Sequence, residues 1–152
     1  MIDYLFTDDE WDIIDEVADL RAQHGRDGYK PGFENLSLEW SWQIGTAGEA
    51  AVSRHFGLPF YRGADYKPGH DVGPYEVRSR PQRSQDLALK DYEFTRFNPH
   101  QKFILCWVTR PCVTIVGWTT VHTVKTKGKP YKQHQLTFLP WEWHQPIDNI
   151  EL

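Results

Sequence analysis

The chain has 152 residues, of which 39% are hydrophobic, 25% charged and 14% aromatic. That length suits one domain with a real core and no staples, and no apolar run reaches the ~18 residues that would span a bilayer. The net charge of −4 argues against a uniformly basic nucleic-acid binder, but residues 1–50 hold 12 acidic and 3 basic side chains while residues 51–152 hold 9 and 14.

Such asymmetry either sets a basic working face beside an acidic end or reflects one solvated acidic helix. The opening Met-Ile-Asp-Tyr lacks a basic then apolar leader, so the expected compartment is the cytoplasm. Cys106 and Cys112 form neither a disulfide framework nor a zinc set. Both sit in apolar runs and are expected to act as small hydrophobes in a reducing compartment.

In chain order, helix 1 is expected over 7–24. Thr7 caps it with Glu10 as capping-box partner, Trp11, Ile14, Val17 and Leu20 form its apolar stripe, and Gly25 ends it. Residues 26–36 read as a loop. Helix 2 runs from Ser37 to about Phe56, with Ile44, Ala47, Gly48 and Ala51 as a small-residue stripe that lets its backbone lie close to a sheet. Strands follow at Pro59–Arg62, Tyr75–Ser79 and Leu87–Lys90. Phe103–Thr109 and Val113–Trp118, separated by Arg110-Pro111, read as a hairpin. Thr119–Lys125 is a short helix or a strand extension, Gly128–Gln135 a basic polar loop, and Leu136–Leu139 a last strand before a Trp-rich tail over 140–152. Helices first and strands after predict an α+β or mixed-sheet domain.

The chemistry concentrates in Gly69-His70-Asp71-Val72-Gly73-Pro74-Tyr75-Glu76-Val77-Arg78-Ser79. Alternation on a strand puts Glu76 and Arg78 on one face, and the Gly-Pro turn can fold Asp71 back beside them. Two adjacent carboxylates cannot both ionise freely without a counter-charge, and a hard divalent cation supplies one. Upstream, Gly45-Thr46-Ala47-Gly48-Glu49 sets a third carboxylate beside the packing stripe of helix 2, where a half-buried Glu wants a partner. The bland alternatives are a turn-bracing Asp71, a solvated Glu76–Arg78 pair and an ordinary helix Glu49.

A helix with Gly-x-x-Gly-Glu, then an Asp, then Glu-Val-basic on a strand resembles the PD-(D/E)XK nuclease superfamily, over residues 37 to about 118. The resemblance implies a restriction-endonuclease-like core, a central mixed β-sheet flanked by helices, in one domain over 1–152 with helix 1 packed outside that core. It implies a metal set of Glu49, Asp71 and Glu76 holding Mg²⁺ or Mn²⁺, and hydrolysis of phosphodiester bonds in DNA. Arg78 stands where the family has Lys. It would position the phosphate or stabilise developing charge, but it cannot shuttle a proton. The alternative is a catalytically inactive relative, acting as a nucleic-acid- or protein-binding accessory of phage or mobile-element type in a host cytoplasm.

Arg80, Arg83 and Lys90 are expected to grip phosphates near the site, and Lys127 and Lys129 to track a backbone beside Tyr131. Of the seven Trp, Trp11 lies on the stripe of helix 1, Trp107 and Trp118 fit strands, and Trp40, Trp42, Trp141 and Trp143 suit core packing, a homodimer or a protein partner, with base stacking as the lesser alternative. No membrane contact is expected.

Overall fold

The computed structural model of the chain describes residues 1–25, 38–63 and 69–151. The loop expected at 26–36, the Ser37 cap and the side chain of Trp40 lie outside the described residues.

The fold is α+β, with a four-stranded mixed sheet and a three-stranded antiparallel sheet. Its elements are β1 (Ile2–Leu5), α1 (Asp8–Gly25), α2 (Leu38–Phe56), β2 (Glu76–Arg80), β3 (Leu87–Lys90), α3 (Glu93–Arg96), β4 (Lys102–Thr109), β5 (Cys112–Thr120), α4 (Val121–Lys127), β6 (Lys129–Tyr131) and β7 (Leu136–Leu139). The large sheet has the order β1-β5-β4-β2, with β2 and β4 parallel and the other pairs antiparallel. The small sheet has the order β3-β7-β6.

Side-chain alternation along β4 divides the core in two. Ile104, Cys106 and Val108 face α1 and α2, joining Trp11, Ile14, Ala47, Ala51 and Val77. Phe103, Leu105 and Trp107 face the other way, onto Leu87, Leu89 and Leu139 of the small sheet and Val121 and Val124 of α4. Both ends of the hairpin expectation hold: β4 and β5 pair from Lys102↔Thr120 to Thr109↔Cys112, with a register shift after Leu105.

The capping box at the head of α1 forms as expected, Thr7 N–H donating to Glu10 Oε1 at 3.0 Å and Glu10 N–H to Thr7 Oγ1 at 3.2 Å. Its stripe differs in one residue. Leu20 is 47% exposed, whereas Ala18, Arg21 and Ala22 are buried. Steps of three residues drift off a 3.6-residue helix within three turns, so the buried face passes to 18, 21 and 22. Through Trp11 and Ile14, α1 contributes to the hydrophobic core. Along α2 the small-residue stripe is buried as expected. A Cβ on Gly48 would lie 3.2 Å from Ser79 Cβ and 1.9 Å from Ser79 Oγ, so glycine permits the close approach of α2 to β2.

Four segments differ from the sequence reading. Pro59–Arg62 is not a strand; its Pro59 and Tyr61 carbonyls accept from the side chains of Ser53 and Arg21 instead of a strand partner. Gly128–Gln135 is not a loop throughout. Lys129–Tyr131 forms β6, because β7 offers a free edge and Lys129↔Phe138 and Tyr131↔Leu136 register on it. Residues 119–125 do both things proposed, Thr119 and Thr120 ending β5 and Val121 starting α4. β1 and α3 had no local signal, being four residues each. No helix among the described residues is long and apolar enough to cross a membrane.

Candidate functional site

The motif segment is built by a tight turn. Val72 and Tyr75 exchange both backbone hydrogen bonds, at 3.1 and 2.9 Å, around Gly73, whose φ of +53° a side-chain-bearing residue rarely adopts. The chain reverses within four residues, and Asp71 returns beside the start of β2. There its Oδ2 accepts from the Val77 backbone N–H at 3.0 Å. The carboxyl groups of Asp71 and Glu76 come within hydrogen-bonding reach of each other. His70 Nδ1 lies 2.9 Å from Glu76 Oε1.

Glu76 is only 7% exposed. Burial pushes its carboxyl pKa above the ordinary value, and the neighbouring Asp71 pushes it the same way; His70 and Arg78 oppose the shift. Glu76 is therefore no solvated surface acid. It is half of a close carboxyl pair, and its own ionisation is held back first by burial and then by the neighbouring Asp71.

Arg78 shares a face with Glu76, but its partner is Glu93, a buried acid of α3 whose Oε2 receives Arg78 Nη2 in a very short contact. The Arg78 guanidinium also lies 5.0 Å from the Phe103 ring centroid. Glu93 Oε1 accepts the Lys90 backbone N–H at 3.0 Å, so β2, β3 and α3 are tied through one carboxylate. Sequence reasoning missed Glu93, and its neighbours carry no motif that marks it.

Glu49 does not join this group, which corrects the expected triad. Its Oε2 takes Arg21 Nη1 at 2.9 Å, and both side chains are largely covered. Arg21 also donates to Thr46 Oγ1, Tyr61 O and Gly63 O. The cause is the sheet's two-sidedness. Val77 and Ser79 face α2, since both lie against Gly48, so Glu76 and Arg78 point to the opposite face. Among the described residues, no group of three or more His, Cys, Asp or Glu side chains is arranged to hold a metal ion. Arg21 left a trace in the sequence: an arginine one turn after Val17 and Ala18, on a helix face that is otherwise apolar.

Of the expected phosphate-gripping residues, Lys90 is exposed at the end of β3, near Arg78 through Glu93. Arg80 is half-buried at the far end of β2, opposite Trp107 in the register of β4. Arg83 extends further that way, 5.5 Å from the Trp107 ring centroid, 3.2 Å from Thr114 Oγ1 and 4.0 Å from Asp3 Oδ1. It is thus engaged away from the carboxyl pair. Lys127 and Lys129 are exposed. Comparison of the chain with protein-family models, with curated proteins and with solved structures found no match.

The tryptophans mostly serve packing. Trp107 is buried, Trp141 meets it edge-on at 5.1 Å, and Trp118 is half-buried on β5. Trp143 is 56% exposed. Cys106 is buried and Cys112 half-buried, both as free thiols; burial pushes the Cys106 thiol far above its ordinary range, so it is inert.

Proposed function

We propose that the chain is a metal-dependent nuclease of the PD-(D/E)XK type, hydrolysing phosphodiester bonds in DNA, with a restriction-endonuclease-like core. The observation that carries this reading is the Asp71–Glu76 carboxyl pair, with Glu76 buried and Asp71 half-buried, the two mutually crowded and held on a tight turn and a strand. A hard divalent cation relieves that crowding. Mg²⁺ commonly takes one or two carboxylates and completes its shell with water and substrate phosphate, so two acids suffice where three were expected. The residues that would hold Mg²⁺ or Mn²⁺ are Asp71 and Glu76. The bound cation would supply Lewis-acid stabilisation of the phosphoryl oxygens and lower the pKa of a water.

The chain's own groups have separable tasks. The Val77 N–H fixes Asp71. His70 orients Glu76 through its Nδ1 contact. Arg78, anchored by Glu93, offers a fixed positive charge to the scissile phosphate. Glu49 keeps Arg21 neutralised and so acts as a structural acid in this reading.

The inactive-relative reading has one observation of its own: Glu49 and Arg78, two members of the motif set, are committed to Arg21 and Glu93. Titration calorimetry with Mg²⁺ and Mn²⁺, alongside incubation with linear, nicked, branched and single-stranded DNA, separates the two. The nuclease is expected to bind the cation and cleave, with Asp71→Asn and Glu76→Gln losing both properties. Arg78→Lys is expected to retain cleavage and Arg78→Ala to lose it by on the order of 10²-fold. Cleavage that persists unchanged in Asp71→Asn and Glu76→Gln would sink the mechanism, and DNA binding without cation binding or cleavage would establish the inactive relative.

A further inference from the structure

The small sheet has an outer face that the core does not use. Directly opposed residues on neighbouring antiparallel strands lie on one side of a sheet. Lys129, Phe138 and Ala88 oppose one another across β6, β7 and β3, and Tyr131, Leu136 and Lys90 do the same two residues along. Leu87, Leu89 and Leu139, on the alternate positions, are buried against the large sheet. The outer face therefore carries two exposed lysines, Lys90 and Lys129, around an aromatic patch.

That patch is a groove of about 510 Å³ lined by Asp86, Lys129, Tyr131, His134, Leu136 and Phe138. Tyr131 is 50% exposed. Its ring plane is fixed by a parallel contact with His134 (centroids 5.2 Å apart, planes 5° apart) and a perpendicular one with Phe138 at 6.4 Å. A ring held in place and half open to solvent is a surface on which a flat heterocycle stacks with little ordering cost. Asp86 also lines the groove, its Oδ1 accepting the Trp141 backbone N–H.

We propose that this face is a stacking platform for an unpaired segment of DNA, with Tyr131 as the stacking ring and Lys90 and Lys129 neutralising the flanking phosphates. The charge of the face and the aromatic geometry together favour this occupant over a protein strand. β6 is three residues long with Pro130 at its centre, a poor template for strand addition. The choice of DNA over RNA rests on the proposed function; the stacking surface does not. Lys90 links the platform to the candidate site, since its backbone N–H is held by the same Glu93 that holds Arg78.

The test is fluorescence anisotropy with a labelled oligo-dT of about 12 nucleotides, run in EDTA so that no cleavage enters the reading. Tyr131→Ala is expected to weaken binding by on the order of tenfold and Tyr131→Phe to preserve it. The Lys90→Ala, Lys129→Ala double variant is expected to flatten the salt dependence. Tyr131 is exposed, so circular dichroism should show these variants folded. Unchanged oligo-dT affinity in Tyr131→Ala overturns the proposal, as does a dimer in sedimentation that Tyr131→Ala dissociates, and tighter binding of oligo-rU than oligo-dT overturns the choice of DNA. Because the readout is binding without metal, a nuclease that fails to cleave and a platform that fails to bind give different results.

Discussion

At the scale of single residues, the site is organised by charge compensation. Three acids on the motif were expected to share one cation; instead Glu49 is separated from the other two. Among the described residues Glu49 pairs with Arg21, Arg78 with Glu93, and Asp71 and Glu76 lie beside each other with His70 against Glu76. Buried ion pairs are costly to break from one side because the remaining charge has no water. Arg21→Met is therefore expected to destabilise the fold by about 3 kcal/mol, read from urea denaturation. Arg21→Met combined with Glu49→Gln should recover much of that loss, since no charge is then stranded. If the double variant is no more stable than Arg21→Met, Glu49 is held by something other than Arg21.

At the scale of elements, the close approach of α2 to β2 decides which acids can meet. Gly48 lies against Val77 and Ser79, and the Ser79 hydroxyl is buried with no hydrogen-bond partner among the described residues. Gly48→Ala is expected to cost about 1–3 kcal/mol by overpacking, with the helix pushed off the strand that carries Glu76. Ser79→Ala removes the nearest atom and a polar group that has no partner, so alone it should be neutral or stabilising, and with Gly48→Ala it should restore part of the loss. Thermal denaturation of the three variants measures the coupling directly, and strict additivity would show that the contact is not the reason for the glycine. The same proximity turns Glu76 and Arg78 to the far face, towards α3 and the small sheet. The tail is tied in similarly: a Cβ on Gly117 would meet Gln145 O at 2.5 Å, where Trp118 and Gln145 exchange backbone hydrogen bonds.

At the scale of the whole molecule, much of the charge asymmetry between the two halves is neutralised internally. Arg54 pairs with Glu10, Arg110 with Asp15 and Arg83 with Asp3. These exposed pairs contribute little stability individually, but one of them engages Arg83, which the sequence reading assigned to a nucleic-acid face. His144 gives global stability a pH signature. His144 Nδ1 lies 3.2 Å from both Pro140 O and Trp141 O, so it carries the proton, and the buried Nε2 has no partner among the described residues. Burial lowers the His144 pKa below the ordinary value, against smaller opposing effects of those carbonyls and Asp86. The unfolded chain thus takes up this proton at a higher pH than the folded one. The stability is present above the ordinary imidazole pKa of about 6.5 and is lost as pH falls through the lower folded value. His144→Asn, whose amide can donate where Nδ1–H does, is expected to make the acid side of the stability profile shallower than wild type; identical slopes would exclude His144 as its source.

What the sequence determined by itself was local. The Thr7–Glu10 box, the small face of α2, the β4–β5 hairpin and the Gly73-Pro74 turn that returns Asp71 to Glu76 all depend on neighbours within a few residues, where backbone preference and periodicity act directly. Expectations reached the α+β class and two of the three expected acids by that route. Tertiary structure alone decided the rest. Arg21 reaches Glu49 across 28 residues, β1 finds β5 through Ile2↔Ile115, and β6 exists only because β7 presents it an edge. Which cation compensates a buried acid depends on the face its strand presents once the helix has docked. No spacing in the chain encodes that face, because the packing of α2 on Val77 and Ser79 turns Glu76 away from Glu49.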